Sequence, residues 1–111
     1  MMRELERDYR SLLPTADADR AQRARLQAQV ETLIEVEPEW LTPRRLLDDM
    51  RRDALLGPWV YAEHKAAWQA TRDADAGYLM GRMLNGQAAL DLFNQVVERD
   101  PRSVWGWHGL A

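Results

Sequence analysis

Five prolines, at positions 14, 38, 43, 58 and 101, limit every helix this chain can build. A proline inside a helix removes a hydrogen bond and clashes with the preceding turn. Between these breaks the apolar residues recur at helical spacing, and no stretch alternates apolar with polar for long. The pattern predicts an all-α chain of about seven short helices joined by connections of a few residues, so that neighbours run antiparallel.

The first helix, about residues 2–13, aligns Leu5, Tyr9, Leu12 and Leu13, and Pro14 ends it. A longer second helix starts at Thr15 or Asp17, runs to about Val36, and carries Leu26, Val30, Leu33 and Ile34. Thr42 and Pro43 predict the cap and first position of a third, with Leu46, Leu47, Met50 and Ala54 inward and Gly57-Pro58 as its stop. The fourth aligns Trp59, Ala62, Ala66 and Ala70. The fifth starts near Asp73 and carries Leu79, Met80, Met83 and Leu84, with Asn85-Gly86 as its C-terminal cap. The sixth, about 87–99, presents Ala89, Leu92, Phe93, Val96 and Val97, and a seventh begins near Ser103. Each has one apolar face and is too short to be stable alone, so the fold must arise from stacking helix on helix.

A spacing emerges in the last third: Gly77, then Ala89-x3-Phe93, Val96, Pro101, and then Trp107-x2-Leu110-Ala111. This resembles the tetratricopeptide repeat, a helix–turn–helix unit of about 34 residues. The resemblance implies that Gly77 lets the first helix approach the second, that Ala89 and Phe93 fill the gap, that Pro101 closes the unit and that Trp107 opens the next. It covers residues 70–101 best, with an incomplete repeat at 102–111. Residues 7–38 keep only the spacing of Leu26, Val30, Leu33 and Pro38, and residues 42–72 form an irregular hairpin. Pro38 and Pro101 lie 101 − 38 = 63 residues apart, against about 68 for two repeats. The expected architecture is one helical-repeat domain over 1–111, a solenoid-like array of antiparallel hairpins. An irregular bundle of hairpins is the alternative.

Composition narrows the function. There are no cysteines, which removes disulfides, Cys–zinc sites and thiol nucleophiles. No apolar run approaches membrane-spanning length, and the charged N-terminus has no signal-peptide core; the expectation is a cytoplasmic protein. Net charge is −3. Residues 1–55 contribute 10 − 12 = −2 and residues 56–111 contribute 5 − 6 = −1, so no basic half exists to neutralise nucleic-acid phosphates. Fourteen of the fifteen basic residues are arginine, a skew of GC-rich genomes that points to a bacterial source.

Candidate chemistry is sparse. Neither His64 nor His108 has the second histidine one turn away that a zinc protease helix needs. Asp73-x-Asp75-x-Gly77 lacks the remaining ligands of a calcium loop, and Asp17-Ala-Asp19 and Asp73-Ala-Asp75 read as helix caps. Asp48-Asp49, among Arg44, Arg45, Arg51 and Arg52, reads as ion pairs on a solvated face. Ser11 and Ser103 sit in no nucleophile elbow, and no glycine-rich phosphate loop is present. The expectation is a protein that is not an enzyme and holds no cofactor or metal.

Five tryptophans are more informative. Trp59 and Trp107 fall at packing positions, whereas Trp40, Trp68 and Trp105 do not fit an inner stripe; they are interface anchors or gap fillers. The repeat resemblance implies a concave groove, lined by first helices, that binds a peptide or partner helix. Projecting it places Thr71, Ala74, Asp75, Tyr78 and Arg82 near that face, with Trp105 and His108 on the next helix; Tyr78, Arg82, Trp105 and His108 are the candidate partner-binding residues. Asp75 would repel an acidic tail. A structural subunit that packs into a larger assembly is the alternative, and a regulatory nucleic-acid-associated domain a weaker one. The seventh helix carries Trp105, Trp107 and Leu110 with no polar capping helix after it. That predicts cover by a second copy, another protein or further sequence.

Overall fold

The computed structural model describes residues 2–10 and 17–111, and side chains from residue 20 within the second stretch. Among the described residues the secondary structure is helical throughout, as seven helices: α1 (Met2–Arg10), α2 (Asp17–Val36), α3 (Leu41–Asp53), α4 (Gly57–Thr71), α5 (Ala74–Gly81), α6 (Gly86–Arg99) and α7 (Val104–Leu110). The expected ends at Leu12, Leu13, Pro14 and Thr15, and the side chains of Asp17 and Asp19, lie outside the described residues. The helices form two compact units, Met1–Arg51 and Arg52–Ala111.

In the first unit the helical periodicity places the core correctly. Met2, Leu5 and Tyr9 of α1 meet Leu26 and Val30 of α2 and Leu46 and Met50 of α3, with Leu33, Ile34 and Leu47 at the margin. Two guanidinium groups stand over the Tyr9 ring, Arg10 at 5.8 Å and Arg23 at 5.6 Å from its centre, where the ring face attracts cations. Helix α3 begins at Leu41, one residue before the expected cap, and Pro43 is buried in its first turn. Asp48 departs from the expected solvated lattice: it is 3% exposed. Leu41 is buried on the same side of α3, opposite Leu46 and Met50; a helix covered on both sides has no solvated face there. Asp49 forms a cross-helix ion pair with Arg10 at 2.9 Å. Ala54 falls beyond α3 and is exposed.

The chain leaves α3 through Leu55, not Gly57. Leu55 takes a left-handed φ of 66° and its N–H donates to the Arg52 carbonyl. Pro58 is committed to the first turn of α4, where its missing N–H costs nothing, so the break after α3 comes earlier.

In the second unit α4 packs on α5, α5 on α6, α6 on α7, and α5 also on α7. Here the expected α4 face is inverted. Trp59, Ala62, Ala66 and Ala70 are all exposed, and the buried stripe is Val60 and Trp68 with His64 half-buried between them. Each side of α4 carries one indole, but Trp68 is the one that meets Gly77 of α5, where no side chain stands in its way. The tryptophan assignment changes with it: Trp68 is buried, Trp105 half-buried, Trp59 68% exposed and Trp107 53% exposed. Trp107 lies over the α6–α7 turn, where its indole N–H donates to the Pro101 carbonyl at 2.9 Å.

Close approach of these helices depends on glycine. A Cβ on Gly77 would stand 2.6 Å from Val96 Cγ2 and 2.7 Å from Trp68 Cε3, too near for any side chain. Asp73 occupies the α5 N-cap, as expected, but its carboxylate makes no capping bond; its backbone N–H donates to Thr71 Oγ1. Asn85-Gly86 does not cap α5. That helix ends at Gly81, with a tight turn through Arg82, Met83 and Leu84, and Asn85 is the N-cap of α6. Ser103 caps α7 by accepting from the Gly106 N–H at 3.0 Å.

Candidate protein-binding groove

Helices α5 and α7 meet over Phe93 of α6. The ring of Phe93 fits between two backbones that have no side chain to offer it: Cβ atoms on Gly81 of α5 or Gly109 of α7 would overlap it. Phe93 is 6% exposed, on the inward stripe of α6 that the sequence predicts and against both α5 and α7. From Phe93 a run of rings reaches the surface. Tyr78 lies 5.8 Å from Phe93, Trp105 lies 5.4 Å from Tyr78, and His108 meets the edge of Trp105 at 5.4 Å and 81°. Tilted and edge-on contacts of this kind suit the ring quadrupoles.

The four candidate residues therefore occupy different depths. Tyr78 is 2% exposed and is not a lining residue; it supports Trp105 from below. Trp105 is half-buried and His108 exposed. Arg82 is half-buried at the end of α5, one turn beyond Tyr78, whose carbonyl accepts from its N–H at 3.0 Å. Of the other projected positions, Ala74 is buried, Asp75 half-buried in the first turn of α5 and Thr71 exposed at the end of α4. The structure thus joins Tyr78, Trp105 and His108 directly through their rings, and Arg82 to Tyr78 only through a backbone hydrogen bond just past the end of α5. An indole that is held on one side and half-buried can bury apolar area against a partner.

Of the glycines beneath this face, the two on α7 do not figure in the repeat spacing of the sequence. Gly106 and Gly109 recur at i, i+3 on α7. A Cβ on Gly106 would stand 2.9 Å from Val96 and 3.0 Å from Val97. Two small residues one turn apart, opposite a large-residue stripe, are the signal that could have identified the α6–α7 contact. A concavity of about 560 Å³ lies in the first unit between α1 and α2, lined by Leu5 and Leu33 with Glu4, Gln29 and Thr32. It gathers no set of catalytic groups. Among the described residues no three His, Asp or Glu side chains cluster as metal ligands, and no helix is long and apolar enough to cross a membrane. Comparison with protein-family models, curated proteins and solved structures gives no significant match to this chain.

Proposed function

We propose that the protein is a non-catalytic interaction module of the bacterial cytoplasm, a tetratricopeptide-like array that binds a peptide or partner helix across α5 and α7. The carrying observation is the continuous run Tyr78–Trp105–His108, which brings a supported, half-buried indole to that face. The packing order supports the repeat reading: α5 touches the helix before it, the helix after it and the next but one, as the first helix of a repeat does. Gly77 and Phe93 make the close contacts that the repeat assigns to them. Ala89 is half-buried, and Trp107 remains 53% exposed, a departure at the opening of the next unit. The partner in this reading is a protein or peptide, not a nucleic acid, because charge is balanced along the chain. No cofactor is involved.

The test is a photo-crosslinking residue at position 108 in cells, with the captured segment then synthesised and its affinity measured. Trp105→Ala should abolish binding of that segment while the free protein still folds, with a lowered melting temperature because the contact with Tyr78 is lost. Unchanged affinity in a folded Trp105→Ala protein overturns the proposal.

A second reading, a structural subunit within a larger assembly, has its own observation. The face of α4 opposite Trp68 exposes Trp59, Ala62, Ala66 and Ala70, next to Leu55 at 87% exposure. In the same unit Val104, at the start of α7, is 76% exposed. Exposed apolar groups in such number mark interfaces. Light scattering behind a sizing column distinguishes the two: a monomer supports the module, and an obligate oligomer that Trp59→Ser dissociates supports the subunit.

A further inference from the structure

The Asn85-Gly86 pair, which does not cap α5, has a chemistry of its own. Asn85 is exposed, with φ −129° and ψ 156°, and its side chain makes no capping hydrogen bond. Gly86 takes a φ of 59°, and apart from its chain neighbours and its own helix backbone nothing stands within 4 Å of the position where its Cβ would be. The Gly86 N–H opens α6 and has no carbonyl four residues back within that helix. The amide carbon of Asn85 and the nitrogen that can attack it are thus both unshielded.

We propose that Asn85 is a site of spontaneous deamidation in the folded protein, converting to aspartate and isoaspartate through a cyclic imide with the Gly86 nitrogen. The Gly86 nitrogen attacks Asn85 Cγ, the bond from Cγ to the side-chain nitrogen breaks, and ammonia leaves with the proton from the Gly86 N–H. Water then opens the imide. Cleavage at Cγ yields aspartate, and cleavage at the main-chain carbonyl yields isoaspartate, whose backbone runs through the former side chain. No oxidant or reductant is consumed. Attack requires ψ of Asn85 to turn from its resting value, and the glycine on its far side has no Cβ to resist that rotation. The positive end of the α6 dipole favours both the nitrogen anion that attacks and the carboxylate that forms. The two products differ in consequence. Aspartate at position 85 is a favoured N-cap. Isoaspartate lengthens the α5–α6 connection by one methylene, and that hairpin holds Gly81 against Phe93.

Asn94 is the internal control. It is equally exposed but sits within α6, where regular helical geometry and a following Gln95 hold its backbone. The whole folded protein is incubated at mildly alkaline pH in heavy-oxygen water and digested, and the two asparagine peptides are followed by mass spectrometry. The expected result is oxygen incorporation at Asn85, with isoaspartate present, well ahead of Asn94 and absent from Asn85→Gln. The isoaspartate fraction should melt below the parent and the aspartate fraction should not. Conversion of Asn85 no faster than Asn94 overturns the proposal, as does conversion that occurs in denaturant but not in the folded protein.

Discussion

Removing the ring of Phe93 should unfold the second unit. Phe93→Ala loses the transfer energy of the ring and leaves a cavity, together about 3–5 kcal/mol. The second unit, Arg52–Ala111, spans 111 − 52 + 1 = 60 residues. At roughly 0.05–0.15 kcal/mol per residue its whole stability is about 3–9 kcal/mol, so one side chain accounts for much of it. For a domain of this size each kcal/mol moves the midpoint by about 4–8 °C, and the expected fall is about 12 °C or more. Tryptophan fluorescence reads it directly, because Trp59, Trp68, Trp105 and Trp107 all lie in this unit and only Trp40 in the other. A double-mutant cycle examines the geometry itself. Gly81→Ala alone drives a methyl into the ring and should cost about 1–3 kcal/mol. Combined with Phe93→Leu, which vacates part of that space, the same methyl should cost less, with a coupling of about 0.5–3 kcal/mol. Additive losses, or a Phe93→Ala melt within a few degrees of the parent, would refute the placement of Phe93 between the two glycines.

Other substitutions separate depth from chemistry. Trp68→Ala should cost about 3–5 kcal/mol, whereas Trp59→Ser, on the exposed face of α4, should stay within about 0.5 kcal/mol of the parent in a chemical denaturation series. Gly77→Val should fail to reach the native fluorescence, because its side chain would enter Val96 and Trp68. The Arg10–Asp49 pair, with the arginine side chain 48% exposed, should show a coupling of only about 0.2–1 kcal/mol, shrinking as salt is added.

Much of the fold was legible because periodicity reports burial directly. Leu26, Val30, Leu46 and Met50 recur at helical intervals and all face the core; in α6 the stripe of Leu92, Phe93, Val96 and Val97 does the same. Helix α4 defeats this reading because it has two apolar sides, an alanine stripe and Trp68, and spacing alone does not say which one a neighbour covers. Asp48 defeats it differently: a carboxylate among arginines reads as solvated until a second face of α3 is found buried. At the candidate site, Trp105 and His108 follow from their places on α7, but the depth of Tyr78 does not, since a tyrosine suits either a groove or its floor.

By itself the sequence determined that this chain is helical, where most of the helices lie, and that no cysteine chemistry is open to it. These are local properties: backbone propensity, proline's missing donor and the identity of side chains act within a turn or two. Only the tertiary structure decided which face of α4 is inward, which tryptophans are buried, and that Gly81 and Gly109 close on one ring. Those outcomes rest on the fit between residues distant in the chain, where a gap or overlap of one methyl group settles the arrangement, and that fit exists only once the helices have met.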